Sequence, residues 1–453
     1  MTKNRYGNLS VYLDNSKSRD CPHAAYIFEH PTEVIIAEKA HDIIPMFDRL
    51  RQYVAKGFYV AGWISYETGL FLEDRLSVLG NQSYKTPFLV FGVYQTRRTL
   101  SSDDGENHWA AFSSEYGHGI RDMELNISRE EYEAAVSKIH DYLLAGDIYQ
   151  VNYTLKSKFK FRGSPESYFA ALRKAQRVEY GAFLKADNMS VLSLSPELFF
   201  QKIGQKIMAR PMKGTCARGR TILEDQQQAN RMRGDDKNRA ENLMIVDLLR
   251  NDLARISSPA SVKLHSLYEV EKYRTLFQMT STIVSEAPET TDIIDIIKSL
   301  FPCGSVTGAP KIRAMEIISE LEAEPRGIYT GAIGFIAPDG DGCFSVPIRT
   351  VTIDEKGQGE MGIGSAIVAD SKAWAEYDEC LLKAQFATRQ FREFELIETL
   401  RWSEDYSYLG PHLDRMMSSA QYFDFVCNRG EIEDSLHQHA AFLNPDKIWK
   451  VRL

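Results

Sequence analysis

A glutamate and a lysine on either side of a short turn are the first candidates for chemistry in this sequence. Glu197 precedes one strand-like run and Lys213 follows the next, and Gly204 and Gln205 between the runs are typical of a hairpin turn. Counting back from the turn brings Glu197 almost opposite Lys213, within side-chain reach. Such a pair could be an acid and a nucleophile in one site, or a cross-strand salt bridge, and the residues favour neither. The nearby carboxylate is expected to favour the charged form of Lys213, which is a poor nucleophile.

Three further carboxylates could bind a cation. Glu241 lies at the edge of the apolar face of a predicted helix, where a carboxylate needs a partner or a cation. Glu376 and Glu379 share a stripe with Lys383 on another predicted helix. Two helices that each offer a carboxylate suit magnesium, which completes its coordination shell with water and substrate oxygens. From spacing alone, an i,i+4 ion pair with Lys383 is favoured for Glu379.

Several segments could bind an anionic ligand. The loop 304–309 leads into a predicted helix N-terminus, where free N–H groups and the helix dipole attract a carboxylate. Residues 362–366 could cradle an anion in the same way, although glycine-rich turns are usually only turns. A second hairpin, turning at Asp339 and Gly340, places Tyr329 beside Arg349 by the same counting. A one-residue slip would separate either hairpin pair across the sheet.

The helices that must position these residues are predicted from capping and periodicity. Ser128 opens a capping box, and the apolar spacing after it predicts a helix that stops at Gly146. Further helices are predicted over about 235–254, from Pro310 onwards, and over about 372–389. The first of these three helices carries Glu241, the second follows the loop 304–309, and the third carries Glu376, Glu379 and Lys383.

The strands are less regular along the chain. Residues 148–155 alternate, with Gln150, Asn152 and Thr154 on one face, which the pattern alone predicts to be solvent-exposed. Residues 101–107 are predicted to form an exposed loop. Strands and helices interleave without a regular βαβ rhythm and without a detectable repeat. The predicted class is therefore α+β with mostly antiparallel sheet.

Composition limits the possible functions. The chain has 453 residues, a net charge of -8, and 43% hydrophobic residues, which suits a globular enzyme. The sequence lacks the basic stripe that a nucleic-acid-binding protein would need. No secretory signal is expected, and no apolar run is long enough to span a membrane. The six cysteines are scattered without a Cys-x-x-Cys pair, which predicts free thiols and a cytoplasmic protein.

Seven segments, taken together, resemble the chorismate-utilising enzymes, a family that contains the anthranilate, aminodeoxychorismate, isochorismate and salicylate synthases. They follow the family's order between about residues 127 and 390, whereas the resemblance over 1–125 is faint. The segments are GDIYQVN (146–152), SPELF (195–199), RPMKGT (210–215), ENLMIVDLLRND (241–252), TGAPK (307–311), IRT (348–350) and IVADS (367–371). The resemblance implies two antiparallel sheets packed as a sandwich, with helices outside and the active site in a cleft.

The resemblance also implies roles for the candidate residues. Magnesium would grip the C1 carboxylate of chorismate and would be held by Glu241, Glu376 and Glu379. The substrate would be lined by Thr215, Thr307, Tyr329, Arg349, Lys383 and the backbone at Gly364. Lys213 and Glu197 would carry the catalysis.

Two positions discriminate within the family. Isochorismate and salicylate synthases have a lysine base that activates water where this chain has Gln150, so the resemblance favours ammonia as the nucleophile. Anthranilate synthases have alanine at the position of Lys213, whereas lysine is the mark of the aminodeoxychorismate synthases. In those enzymes the lysine adds to C2 of chorismate as the 4-hydroxyl leaves. The resemblance implies that Glu197 is the general acid and base in this chain. Ammonia then enters at C4 and expels the lysine.

The implied activity is the formation of 4-amino-4-deoxychorismate for 4-aminobenzoate and folate biosynthesis. The nearest alternative is anthranilate synthase component I, and a more distant one is a catalytically silent, chorismate-binding regulatory subunit. No Gly-x-Cys-x-Gly motif is present, so a glutamine amidotransferase subunit is the implied partner that supplies ammonia.

Three segments are expected along the chain. Residues 1–125 form an N-terminal subdomain, 126–393 the chorismate-binding catalytic domain, and 394–453 a tail that resembles the opening of aminodeoxychorismate lyase. The pyridoxal-phosphate lysine of that lyase would lie beyond Leu453. One departure from the anthranilate synthases is Gln278, which replaces a histidine and has no assigned role.

Overall fold

Helices and strands alternate over most of the chain, and a computed structural model describes residues 6–17, 25–80, 83–112, 119–388 and 394–453. The strands are β1 (Ser10–Asp14), β2 (Ala25–Phe28), β3 (Glu33–Ala37), β4 (Tyr59–Ile64), β5 (Leu89–Tyr94), β6 (Arg98–Leu100), β7 (Gly119–Leu125), β8 (Gln150–Arg162), β9 (Tyr180–Ala186), β10 (Met189–Ser195), β11 (Leu198–Ile203), β12 (Lys206–Arg210), β13 (Met212–Ala217), β14 (Lys263–Lys272), β15 (Leu276–Glu286), β16 (Gly308–Ala309), β17 (Ala332–Ile336), β18 (Gly342–Ser345), β19 (Thr350–Asp354), β20 (Gln358–Ile367), β21 (Thr399–Ser403), β22 (Asp405–Tyr406) and β23 (Trp449–Arg452). The α-helices are α1 (Ile43–Ala55), α2 (Ser102–Ala110), α3 (Arg129–Leu144), α4 (Pro165–Ala175), α5 (Ile222–Gly234), α6 (Asp236–Ala254), α7 (Ile293–Leu300), α8 (Lys311–Leu321), α9 (Ala373–Ala384), α10 (Leu409–Phe423) and α11 (Arg429–Ala440).

Two large antiparallel sheets form the body of the molecule. Sheet A has the order β16-β8-β20-β19-β10-β9-β1-β2-β6, with β7 also paired to β8. Sheet B has the order β13-β15-β12-β11-β18-β17-β4-β5-β3, with β14 also paired to β15. Neighbouring strands run antiparallel in both sheets. The predicted α+β class with two antiparallel sheets is therefore confirmed.

The two sheets pack face to face because their inner faces are apolar. Val11 and Leu184 from sheet A share one buried cluster with Trp63 and Val90 from sheet B. Helices α3, α4, α8 and α9 cover the outer face of sheet A, and α1, α6 and α7 pack against sheet B. The molecule is thus a sandwich with its helices outside.

The predicted helices are present where capping signals were strongest. Ser128 and Glu131 form the reciprocal capping box of α3, in which the Ser128 N–H donates to Glu131 Oε2 at 2.7 Å. Helices α6 and α8 begin within two residues of their predicted starts. Helix α9 ends at Ala384, and a short 3₁₀ turn (Gln385–Ala387) follows it, whereas residue 389 lies outside the described part of the chain.

Residues 101–107 are not the predicted loop, because they begin helix α2. The Ser101 hydroxyl accepts the Asp104 N–H at 3.2 Å, and Asp103 and Asp104 in the first turn complement the helix dipole. Trp109 at the other end is only 3% exposed and anchors the helix in the core. The run of polar residues is the solvent face of this helix.

The alternation of residues in β8 alone predicted that its polar face is exposed to solvent. This prediction was wrong. Gln150 and Thr154 are buried and Asn152 is half-buried. The Asn152 side chain donates to the Ser305 carbonyl oxygen at 2.9 Å, so the loop before α8 covers this face. The polar residues of β8 therefore line the interior of the molecule.

Strands from residues 1–125 extend both sheets, and the boundary near 125 stays a prediction. Residues 394–453 form a three-stranded sheet in the order β22-β21-β23 with α10 and α11, around a small apolar core of their own. The tail contacts the sandwich where the Tyr422 hydroxyl donates to the Gly219 carbonyl oxygen at 2.6 Å.

None of the described helices combines the length and apolar composition that a membrane crossing requires.

Candidate active site

The predicted catalytic groups converge where the edges of the two sheets meet. Strands β16 and β8 form this edge in sheet A, and β13 forms it in sheet B. Lys213 Nζ on β13 donates to Asn152 Oδ1 on β8 at 3.4 Å. The loop that leads into α8 covers one side of this site, through the contact between Asn152 and Ser305.

Glu197 and Lys213 lie near each other, but not through the simple hairpin register. A bulge between Leu198 and Gln201 shifts the pairing by one residue, so Leu198 pairs with Arg210. Beyond the hairpin, Lys213 lies on β13, which pairs with β15. Glu197 and Lys213 nevertheless lie close enough for each charge to affect the other's pKa.

Glu197 has the properties of a general acid at neutral pH. It is 3% exposed, and burial raises the pKa of its carboxyl group to about 7. The Ser305 hydroxyl, the Lys213 charge and the Met212 N–H oppose that rise. Its Oε1 atom is buried without a hydrogen-bond partner among the described residues, so one oxygen remains available for a ligand.

The environment of Lys213 favours the neutral amine, contrary to the expectation from its neighbour alone. Burial is the largest effect and lowers the pKa of Lys213, and the Lys383 charge lowers it further. The carboxylates of Glu241, Glu197 and Glu379 oppose this without reversing it. The expected effect of the neighbouring carboxylate is present, but burial, which that expectation did not count, is larger and sets the direction of the shift.

Carboxylates from α6 and from the region of α9 face the same space. Glu241 on α6 is half-buried, and burial raises the pKa of its carboxyl group. Asp370 and Glu376 raise it further by like-charge repulsion, while Lys213 and Lys237 oppose the shift. Repulsion of this kind is what a divalent cation relieves.

The donor set fits magnesium, although it is not a preformed cage. The Glu376 carboxylate accepts a hydrogen bond from the Ser371 hydroxyl at 2.7 Å, and Glu379 forms its i,i+4 ion pair with Lys383 at 2.7 Å. Within the described ranges, no three His, Cys, Asp or Glu side chains stand close enough to form a metal cluster. A cation here would need water or substrate oxygens, which is the usual way magnesium is held.

Thr307 closes the loop that borders β8. It is fully buried, its hydroxyl donates to the Cys303 carbonyl oxygen at 3.2 Å, and its own carbonyl accepts the Asn152 N–H at 2.8 Å. Gly308 follows with φ of 155°, and a Cβ there would lie 2.3 Å from the Gln150 carbonyl oxygen. Only glycine therefore allows β16 to approach β8 this closely.

The second hairpin has the predicted register, since Ile336 of β17 pairs with Gly342 of β18. Beyond the hairpin, the Arg349 carbonyl oxygen accepts a backbone hydrogen bond from β10 at 3.1 Å, so the chain crosses into sheet A. Burial lowers the pKa of the Arg349 guanidinium, and Tyr273 opposes this shift. Arg349 is thus a desolvated cation suited to an anionic ligand, while its pairing with Tyr329 stays a prediction.

Tyr329 packs on the glycines of β20. A Cβ at Gly362 would lie 2.1 Å from the Tyr329 ring, so glycine is what allows the ring to lie against the strand. Two residues on, the Gly364 carbonyl oxygen accepts a hydrogen bond from Lys383 Nζ at 2.9 Å. Residues 362–366 are part of strand β20 and not a glycine-rich turn.

Gln278 holds the segment that follows Lys213. Its side-chain amide donates to the Gly214 carbonyl oxygen at 2.8 Å, and its Oε1 accepts the Thr215 hydroxyl at 3.0 Å. Thr215 is otherwise exposed at the edge of the sheet. Gln278 therefore fixes the segment of β13 that follows Lys213, which gives a structural role to the unassigned position.

The structure adds Asn152, Ser305 and Arg326 to the site. Arg326 is buried, pairs with Glu322 at 2.6 Å, and donates to the carbonyl oxygens of Asn152 at 2.7 Å and Val306 at 2.8 Å. It therefore joins strand β8 to the loop before α8. The polar alternation of β8 was the signal for Asn152, while no local pattern marks Arg326.

Comparisons with known proteins now identify the family. A sequence model of the chorismate-binding enzyme family matches residues 11–389. The chain belongs to this family. The match includes residues 11–125, where the motifs were faint, and ends before the tail.

Individual relatives agree with this placement. Aminodeoxychorismate synthase component 1 of Escherichia coli is 36% identical over 348 residues, covering 73% of this chain and 76% of that protein. Anthranilate synthase component 1 of Haloferax volcanii is 40% identical over 255 residues, covering 56% of this chain and 49% of that protein. The crystal structure of anthranilate synthase component I from Streptococcus pneumoniae has a TM-score of 0.70 and 24% identity, covering 82% of this chain and 93% of that one. This likeness confirms the two-sheet fold.

Proposed function

We propose that this chain is component 1 of an aminodeoxychorismate synthase, which converts chorismate and ammonia to 4-amino-4-deoxychorismate for 4-aminobenzoate and folate biosynthesis. The similarity to the Escherichia coli protein of that name supports the assignment. The observation that carries it is the pair Glu197 and Lys213. Burial raises the pKa of the acid and lowers that of the amine, so both are driven toward their neutral forms.

Covalent catalysis at this site requires the neutral forms of both groups. The Lys213 amine adds to C2 of chorismate as the bond between C4 and its hydroxyl breaks, and Glu197 donates the proton that makes the leaving group water. Ammonia then bonds to C4 while the bond between C2 and Lys213 breaks. The proton lost by the ammonium formed at C4 returns to the site, where the Glu197 carboxylate accepts it. Asn152, at 3.4 Å from Lys213 Nζ, orients the amine.

Substrate binding would use the remaining polar groups of the cleft. Magnesium held by Glu241, Glu376 and Glu379 would neutralise the carboxylate at C1 of chorismate. The desolvated Arg349 suits the other carboxylate of the substrate. Gln150 is fully buried with both side-chain amide atoms unpartnered among the described residues, which supports a polar ligand beside this strand.

The proposed partner is a glutamine amidotransferase subunit that supplies ammonia. The designation "component 1" of the Escherichia coli relative supports a second component. A cytoplasmic location is supported by five free cysteines in the described residues, since such thiols persist in a reducing compartment. The sixth, Cys21, lies outside the described residues.

The deciding experiment is a product assay. The purified chain is incubated with chorismate, ammonium and magnesium, and the products are separated by chromatography with and without an added aminodeoxychorismate lyase. The proposal expects 4-amino-4-deoxychorismate, converted to 4-aminobenzoate only when lyase is present. Anthranilate as the main product would establish the alternative activity, and no turnover at all would favour a silent chorismate-binding subunit.

A separate prediction concerns the tail, 394–453. We expect the purified chain to show no pyridoxal-phosphate absorbance and to release no 4-aminobenzoate by itself. The physical reason is that three strands and two helices around a small core form too little structure to enclose that cofactor. Spectra of the chain after incubation with pyridoxal phosphate and desalting test this, and a stoichiometric bound cofactor would overturn it.

A further inference from the structure

A buried ion pair, Arg326 and Glu322, lies at the edge of sheet A beside β8. The side chain of Arg326 is 1% exposed and that of Glu322 is 5% exposed. The two side chains meet as a fork, in which Arg326 Nη2 donates to Glu322 Oε1 at 2.6 Å and Nε donates to Oε2 at 2.9 Å. Desolvation of two charges offsets most of their mutual attraction, so the net stability that such a pair adds is small.

The pair takes the place of a strand beside β8. On this edge of β8, β16 pairs with residues 150–151 and β7 pairs with residues 157–162, and no other described strand pairs there. In the gap between them, the guanidinium donates from Nη2 to the Asn152 carbonyl oxygen at 2.7 Å. The carboxylate of the pair accepts the Thr154 N–H at 2.9 Å. The two side chains therefore satisfy backbone groups that a neighbouring strand would otherwise satisfy.

The same guanidinium holds the loop that faces β8. Arg326 Nη1 donates to the Val306 carbonyl oxygen at 2.8 Å, so one planar group grips the strand at Asn152 and the loop at Val306. The Asn152 side chain spans the same strand and loop, because its Nδ2 atom donates to the Ser305 carbonyl oxygen at 2.9 Å. Its Oδ1 atom accepts from Lys213 Nζ at 3.4 Å. The spacing of strand and loop therefore sets where Asn152 Oδ1 meets the lysine amine.

We propose that Arg326, held by Glu322, is a positioning residue that orients the Lys213 amine through Asn152. This role rests on the proposed function, in which Lys213 is the nucleophile. A guanidinium suits the task because its five donors lie in one rigid plane, whereas a lysine ammonium is a point charge on a flexible stem. A displacement of about 1 Å in a reacting group can lower a rate by about 100-fold, so a small shift of β8 is enough to affect kcat.

The test is a double-mutant cycle on kcat and KM for chorismate, with ammonium and magnesium present. Arg326→Lys keeps the positive charge beside Glu322 and loses the planar fork. We expect kcat to fall about tenfold and KM to change by less than about threefold, because the carboxylates of α6 and α9 and the Arg349 guanidinium are untouched. In Asn152→Ala, where the contact with Lys213 is already absent, the same replacement should lower kcat by less than about twofold.

Arg173→Lys is the matched control, because Arg173 also forms a buried fork with a carboxylate. Its Nε and Nη2 atoms donate to the two oxygens of Asp14 at 2.7 and 3.2 Å, and the side chains are 4% and 1% exposed. This pair joins α4 to β1, outside the strands and the loop that carry Lys213 and Asn152. The control should lower the unfolding temperature as Arg326→Lys does, yet leave kcat within about twofold of wild type.

Glu322→Gln keeps the test decisive if Arg326→Lys does not fold. It preserves the size of the side chain and one oxygen for the Thr154 N–H, and it removes the charge that holds the fork. A fall in kcat that again disappears in Asn152→Ala is expected.

A loss of kcat that is as large in Asn152→Ala as in wild type, or no larger than that of Arg173→Lys, would overturn the positioning role and leave a packing role. A wild type that forms no 4-amino-4-deoxychorismate would instead overturn the proposed function, and this role with it. The two failures are therefore distinguished by the activity of the unmodified chain.

Discussion

Replacing Lys213 with alanine is expected to reduce formation of 4-amino-4-deoxychorismate by at least about 100-fold. The half-buried lysine has a lowered pKa, and addition at C2 has no substitute for its amine. Chorismate should still bind, because the carboxylates of α6 and α9 and the Arg349 guanidinium remain in place. Slow, direct addition of ammonia at C2, which gives the ortho-amino product, is the expected residual reaction.

The measurement is ammonia-dependent turnover with chromatographic separation of the ortho and para products. Lys206→Ala is the matched control, since Lys206 is an exposed lysine on β12, the preceding strand in the chain. Wild-type rates of para product from Lys213→Ala would rule out the nucleophile and leave Lys213 as a partner of Asn152. Mass spectrometry of wild type quenched during turnover adds a direct readout, in which the proposal expects a covalent adduct that Lys213→Ala lacks.

Replacing Glu241 with glutamine is expected to abolish turnover, and with it the dependence of chorismate binding on magnesium. The carboxylate provides a charge on α6 that faces Glu376 and Asp370, and a neutral amide oxygen binds magnesium much more weakly than a carboxylate. The fold should survive. Burial and like charges raise the pKa of Glu241, so its ionised form is disfavoured in the folded protein, and removing that charge should not lower the unfolding temperature.

Calorimetric titration of chorismate with and without magnesium measures this effect separately from turnover. Asp247→Asn on the same helix is the control, because that side chain is 76% exposed and pairs only with the neighbouring Arg250 in the described contacts. Undiminished activity of Glu241→Gln at saturating chorismate would remove Glu241 from the site. Lost activity with intact magnesium-dependent binding would assign Glu241 a role other than metal binding.

The elements that carry the site could be predicted from short stretches of sequence. The capping box at Ser128, the turn at Gly204 and the turn at Gly340 each depend on residues within a few positions of one another. The same locality explains two errors. Residues 101–107 read as a loop because the anchoring Trp109 lies just outside the polar run, and the bulge after Leu198 leaves no mark in the alternation.

Residue types and spacing also determined which side chains are chemically able to act, and the motifs around them placed the chain in its family. Glu197, Lys213 and Glu241 are predictable as candidates from the sequence alone, and the structure brings the carboxylates of Glu197 and Glu241 close enough to affect the pKa of Lys213. The protonation states of these groups could not be predicted from residue types and spacing. A neighbouring carboxylate argued for a charged lysine, and the larger effect of burial reversed the direction of the shift.

Only the tertiary structure decided what surrounds those groups. Asn152 meets Lys213 across 61 residues of chain, and the Arg326 N–H meets the buried Glu67 carboxylate across 259. Local sequence encodes the period of a strand or the cap of a helix, because adjacent residues determine backbone geometry. Desolvation and hydrogen bonding depend on segments that meet only after the two sheets have closed, so the acid–base character of the cleft arises from the packing of the sandwich.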